Sequence, residues 1–365
     1  YEYAKYLIDK INENCHIFSK YGCLPSRIVE VNGEMLISLS RMYKSSKDSK
    51  YIDYGMPIFK LYLLKIIPEN NFLPCEEIDI SIERCDSTEF SISDHSNEII
   101  SGIIEFYSII KDTHYDNEYY SKIIKVMLNK IKEKKLNEQG FWTNNNKVVD
   151  SFGYVHNAYL LYSNIDEFDI KFINESLVNI ENIDLNKFNV IDDQADFIES
   201  LIYLQYEYNY PHIDYWISEN TLKMMSNQNN EGLFMNDYKD GNVARTMILF
   251  LLYKTQGIHV NDWKKDLKLG SYKNDDELYV YIESESDWEG VLKFDTERSM
   301  KIFNSTYYPR INSFPEWWTV KENNTYEYYL NNELIKIKGQ KIIDEGIKIK
   351  INADSHINIK ILEVN

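Results

Sequence analysis

The chain has 365 residues, 44% hydrophobic and 27% charged, with 40 Lys and Arg against 58 Asp and Glu and a formal charge of −18. Such a composition belongs to a folded protein long enough for two domains. The acidic balance excludes a basic nucleic-acid face and disfavours docking on anionic membranes. The best apolar run, Met247–Tyr253, falls far short of the roughly 18 residues that a membrane helix needs.

Residues 1 to about 257 carry apolar positions at helical spacing. The pattern predicts helices over Tyr1–Ser19, Glu30–Ser45, Tyr51–Ile67, Ser93–Asp112 and Asn117–Lys134. It continues with Ser151–Ser163, a short Glu167–Asn174, then Asp192–Tyr208, Ile213–Asn227 and Asn242–Gln256. Some connectors are short enough for antiparallel helix hairpins. Others, Glu69–Ile92, Asn137–Asp150 and Asn229–Gly241, are longer and rich in acidic, amide, Gly or Trp residues. After Gly270 the period changes to two. Asp276–Glu283, Gly290–Phe294, Tyr326–Leu330, Leu334–Lys338, Ile347–Ile351 and Ile357–Val364 read as strands of an antiparallel sheet with one buried face. The domain expectation is therefore a helical part over 1–270 and a β-sheet or sandwich over 271–365.

All four cysteines, Cys15, Cys23, Cys75 and Cys85, lie early in the chain and none forms a CxxC. A structural zinc site is not expected. Free thiols would suit a reducing compartment, and the cytoplasm is the expected location; two disulfides are the alternative. No GxxxxGK[ST], no GxGxxG after a strand, no GxSxG and no HExxH occurs. Neither a nucleotide cofactor nor a catalytic metal is expected.

Several groups of residues could carry chemistry. Asp94, His95 and Glu98 lie at the start of the fourth predicted helix, with Asp94 and Glu98 four apart on one face; they could act as acid and base or simply compensate the helix dipole. Along Asp192–Glu199, at about 100° per residue, Asp192, Asp196, Glu199 and Tyr203 form one stripe. Crowded carboxylates in a cleft would drive their pKa values apart and separate an acid from a base. Asp240 precedes a hydrophobic helix that carries Arg245 one turn in. That arginine could grip a sugar carboxylate or pair with Asp196 or Glu199. Trp142, expected to be exposed near a cleft, would stack on a sugar ring, with Tyr154 and His156 as acid and base and Asn157 beside them. The Pro-bounded aromatic segment Tyr307–Trp318 reads as a buried plug.

Helix hairpins with Trp- and carboxylate-bearing loops, followed by a β domain, resemble the α/α-toroid carbohydrate-active enzymes. The resemblance rests chiefly on Ser93–Glu98, Asp192–Glu199 and Asp240–Arg245. It implies a mainly α protein, an α/α toroid followed by a small antiparallel β domain. It further implies a glycan-degrading enzyme acting on an oligosaccharide or polysaccharide. A glycoside hydrolase would use Asp94, Glu98, Asp196 and Glu199 as its carboxylates, Trp142 to stack and Arg245 to orient. A polysaccharide lyase would instead use His95, Tyr154, His156, Asn157 and Arg245. A non-catalytic glycan-binding protein is the third class.

Overall fold

The computed structural model describes residues 2–87, 89–93, 97–188, 190–229, 234, 241–299, 315–330 and 333–364. The described residues of 2–234 form one compact unit and those of 241–364 another.

The first unit is built of helices joined by small hairpins. Helix α1 (Glu2–Glu13) ends well before Ser19 because β1 (Ile17–Ser19) pairs with β2 (Gly22–Leu24), and the Cys15–Cys23 disulfide closes the hairpin. Helix α2 spans Val29–Ser46; α3 (Lys50–Leu61) runs through a π turn at Tyr62–Ile66 into α4 (Ile67–Glu69). The acidic connector that follows holds β3 (Ile78–Asp79) and β4 (Arg84–Cys85), tied by a Cys75–Cys85 disulfide. The free-thiol expectation is thus replaced by two disulfides. Then come α5 (Glu98–Ile110) and α6 (Glu118–Lys135). Asn117 caps α6 by accepting from the Tyr119 amide at 2.9 Å, and Lys132, Lys134 and Lys135 meet the negative end of its dipole. Hairpin β5 (Thr143–Asn144) and β6 (Lys147–Val148) leads to α7 (Phe152–Ile165), α8 (Lys171–Val178), α9 (Ile191–Tyr208) and α10 (Pro211–Met225).

Burial sorts these helices. Every residue of α5 except Ser108 is buried, and so is the run Phe152–Tyr162 of α7. A helix apolar all round belongs inside its unit. Accordingly α2 packs on α5, α5 on α7, α7 on α9 and α9 on α10. Neighbours α5 and α7 run the same way. At one end the Ser151 hydroxyl donates to the Ile92 carbonyl at 3.2 Å; at the other, the Lys111 ammonium donates to the Ile165 carbonyl. Helix α6 runs back between them in the chain, its Leu128 carbonyl receiving the Tyr159 hydroxyl at 2.8 Å. Helices α6 and α7 thus form one antiparallel hairpin.

The second unit begins with α11 (Gly241–Lys254), so the last predicted helix groups with the sheets. Strands β7 (His259–Val260), β8 (Leu267–Asn274), β9 (Glu277–Ser284), β10 (Trp288–Lys293) and β11 (Asp295–Thr296) follow. Later come β12 (Thr319–Val320), β13 (Thr325–Leu330), β14 (Glu333–Lys338), a short α12 (Gly339–Glu345), β15 (Ile347–Ile351) and β16 (Ser355–Val364). An antiparallel five-stranded sheet has the order β14-β13-β16-β9-β8, and a three-stranded one β15-β10-β7. Alternation decides their faces: Leu278, Val280 and Ile282 of β9 are buried while Tyr279 and Tyr281 look out. Ile347, Ile349 and Ile351 join Leu278, Ile361, Trp288 and Trp318 in one apolar core, so the two sheets form a sandwich. Of the aromatic plug, Tyr307–Phe314 lies outside the described residues, and Trp317 and Trp318 are buried.

Candidate active site

Helix α9 displays the predicted stripe. Its Glu199 is fully buried and accepts a hydrogen bond of 2.6 Å from the hydroxyl of Tyr203, one turn on. Asp196 is half-buried and accepts from the hydroxyl of Tyr154 on α7 at 3.3 Å. The rings of Tyr154 and Tyr203 stand 6.4 Å apart, so the two phenols are neighbours as well. One turn along α7, the nearly buried Asn157 spends its amide on the Gly153 carbonyl at 2.7 Å. A phenol donating to a carboxyl oxygen both satisfies that acceptor and fixes its orientation. The structure therefore brings Tyr154, Asp196 and Glu199 together, with Asn157 adjacent in sequence position.

At the N-terminal ends of α5, α7 and α9 lies a polar pocket of about 300 Å³. Ser93, Asn144, Lys147, Asp150 and Asp193 line it, with Phe188 and Val149 as apolar wall. Its rim is the β5–β6 hairpin, whose Asn145 and Asn146 take φ of 50° and 63°, the left-handed values that a tight hairpin turn demands of both central residues. The hairpin is anchored by Asn144, whose amide donates to Ser91 at 3.0 Å and Ser93 at 3.2 Å and whose carbonyl receives Lys135 at 3.1 Å. Burial pulls the Lys135 ammonium below its ordinary pKa. That Asp150 and Asp193 line one pocket was not among the expectations from the sequence. The Asn-Asn turn between Thr143 and Val148 was the available signal, since it folds the loop back onto the helix ends.

A second acidic group lies on α2 and α5. Carboxylate oxygens of Glu30, Glu34 and Glu98 all fall within 4.8 Å of one another, and Glu98 is fully buried. Three hard oxygen donors at this spacing have the chemistry to hold a divalent cation such as Ca²⁺ or Mg²⁺.

Other expectations are corrected. Trp142 is not an exposed platform: it is fully buried against Tyr159 and Phe172, with ring centroids at 5.0 and 5.3 Å. Its indole N–H donates to Nδ1 of His156 at 2.6 Å. On the other side, His156 Nε2 lies 2.9 Å from the Ser176 hydroxyl, which itself donates to the Ile173 carbonyl at 2.8 Å. Both imidazole nitrogens are thus engaged, and burial pushes the ring down to about 3. His156 is a neutral core histidine, not an acid or base. Arg245 lies in the second unit, donating to the Asn242 side chain at 2.8 Å. Asp94, His95 and Asp240 lie outside the described residues.

No family model matches the chain, and no curated protein matches it.

Proposed function

We propose that this protein is a glycan-degrading enzyme, most simply a glycoside hydrolase, built on an α/α toroid of which α2, α5, α7 and α9 are consecutive inner helices. The observation that carries the reading is the polar pocket lined by both Asp150 and Asp193 together with Ser93 and Asn144. Glycoside hydrolysis needs two carboxyl groups flanking one bond, an acid for the leaving oxygen and a base or nucleophile on the other face. A pocket of this size, with hydroxyl and amide groups to orient a sugar, supplies the setting. Asp196, one turn below Asp193 on α9 and held by Tyr154, extends the same acidic face.

A polysaccharide lyase is the second reading, and Tyr154 favours it. Its hydroxyl donates to Asp196, so as the phenol proton passes to that carboxylate the phenolate oxygen can take the proton α to the uronate carboxylate, the β C–O bond breaks, and the proton held by Asp196 is there for the leaving oxygen. A non-catalytic glycan-binding role would use the same pocket without turnover. Two disulfides fit an oxidising environment better than the cytoplasm, and we place the working protein there. Among the described residues no helix is long and apolar enough to cross a membrane.

The test is incubation with a panel of neutral and uronic-acid oligosaccharides read by mass spectrometry and ultraviolet absorbance. Hydrolysis adds water to the products, whereas β-elimination leaves a conjugated alkene. Water-added products abolished by Asp150→Asn and Asp193→Asn support the hydrolase. Unsaturated products lost in Tyr154→Phe select the lyase, and binding without any product leaves only the binding role.

A further inference from the structure

The five-stranded sheet turns its outer face to solvent, and the register places an unusual row on it. Tyr272 of β8 stands opposite Tyr279 of β9, Tyr279 opposite Lys360 of β16, and Lys360 opposite Tyr329 of β13. Tyr281, two residues along β9 and on the same face, stands opposite Gly270. The four tyrosines are between 38% and 64% exposed. Together they border a groove of about 500 Å³ on the sheet, a volume in the range of small-ligand sites. Gly270 deepens it: a Cβ there would meet nothing within 4 Å, so the missing side chain leaves a notch beside Tyr281.

The rings are held before any ligand arrives. The Tyr279 hydroxyl donates to Glu277, and the Tyr281 hydroxyl donates to Glu283 at 2.6 Å. The rings of Tyr272 and Tyr279 lie 6.4 Å apart at 35°. Pre-set rings reduce the ordering cost of binding. Charge selects the occupant. Among the described residues of the lining Lys360 is the one charged side chain, and it pairs with Glu277 at 2.7 Å. Lys268 beside the groove is likewise paired, with Glu283 at 2.8 Å. A groove whose described lysines pair with carboxylates, on a chain of charge −18, disfavours a polyanion. Its surface offers the exposed rings of Tyr272 and Tyr329, edged by hydroxyl and amide groups with Asn358 among them, while the Lys360 ammonium lies 5.5 Å over the Tyr279 ring and His356 stacks on Tyr281.

We infer that this sheet face is a binding site for a neutral sugar chain, separate from the pocket at the helix ends. A neutral pyranose has the complementary make-up: an apolar C–H face to lie on a tyrosine ring and a rim of hydroxyls for the polar edges. The inference stands on the sheet alone and does not require the reaction proposed above.

The test is affinity electrophoresis of the full chain through gels holding starch, galactomannan, xyloglucan or mixed-linkage β-glucan, with polygalacturonate and alginate as anionic counterparts. At least one neutral polysaccharide is expected to retard the protein. Tyr279→Ala should weaken that retardation by about tenfold or more, as loss of an aromatic anchor does. Tyr272→Ala, at the most exposed of the four positions, should do the same with unchanged thermal unfolding. Products in the oligosaccharide panel without tyrosine-dependent retardation would sink this site alone, and tyrosine-dependent retardation without products would sink the enzymatic reading alone. Retardation by no neutral polysaccharide, by the polyuronates only, or undiminished in both tyrosine variants would overturn the inference. So would a concentration-dependent dimer that the tyrosine variants abolish, in the absence of retardation, since the face would then be covered by a second copy.

Discussion

Gly33 of α2 and Gly102 of α5 meet backbone to backbone: a Cβ on Gly102 would stand 2.4 Å from the Gly33 carbonyl oxygen, and one on Gly33 2.5 Å from the carbonyl carbon of Glu98. This contact sets the distance between the two helices that carry Glu30, Glu34 and Glu98. The pair is buttressed further along by Arg41, whose Nε donates to the buried carboxylate of Glu105 at 3.1 Å.

The contact predicts an asymmetric glycine scan. Gly102→Ala has only backbone to push against, so helices must part, and the loss should reach about 3 kcal/mol, the upper end of ordinary overpacking. Gly241→Ala, whose Cβ would meet nothing within 4 Å, should change stability by less than about 1 kcal/mol. Urea unfolding of the two variants against the parent decides it; equal effects would refute the close-contact account.

Removing the Tyr154 hydroxyl leaves Asp196 one donor short. A hydrogen bond to a carboxylate contributes about 1.5–3 kcal/mol when intact. A double-mutant cycle of Tyr154→Phe and Asp196→Asn should return a coupling of about 1 kcal/mol or more in unfolding free energy. On the substrate that the panel identifies, Asp196→Asn should lower the rate by about 10²-fold or more if the carboxylate takes part in proton transfer. A rate within a few-fold of the parent would confine Asp196 to a structural role.

His156 makes stability depend on pH. Its folded value is about 3 against an ordinary 6.5, so below pH 6.5 the unfolded chain binds a proton that the folded chain refuses. The stability that goes with the neutral ring is complete above the unfolded value and is lost as pH falls from about 6.5 towards 3. Full protonation corresponds to roughly 4–5 kcal/mol. Other groups titrate in the same window, so the quantity to read is the difference between the parent and His156→Gln. The variant should be less stable at pH 7, and the gap should narrow steadily in unfolding series taken from pH 7 to pH 4. A gap independent of pH would mean that the ring is not held neutral.

The disulfides close loops of sequence separation 8 and 10, for which chain entropy gives about 2–3 kcal/mol each. Cys75→Ser combined with Cys85→Ser should cost that amount and also loosen the β3–β4 hairpin. Parallel unfolding of the parent with and without reductant checks it; identical midpoints would show that the bonds are not formed in solution.

Much of this architecture is readable in local periodicity. The stripe Asp192, Asp196, Glu199, Tyr203 follows from helical geometry alone, and Ile347-Lys348-Ile349-Lys350-Ile351 announces a one-sided strand because its alternation matches the pleat. Where alternation is broken, the reading fails. Leu267–Asn274 holds Gly270 and two lysines and sustains no clear alternation, yet it is the edge strand β8. Between the expected strands Leu334–Lys338 and Ile347–Ile351 lies the short helix α12, which no strand alternation announces.

Local spacing carries the main helices, the acidic face of α9 and the two-faced strands, since each depends on residues a few positions apart. Only the tertiary structure decided that Trp142 and His156 satisfy each other in the core, that the cysteines pair, and that Asp150 and Asp193 share a pocket. The same holds for the tyrosine row across β8, β9 and β13. In each case the partners are distant in the chain. Whether an aromatic ring lies on a sugar or in a core is set by what packs over it, which no local spacing encodes.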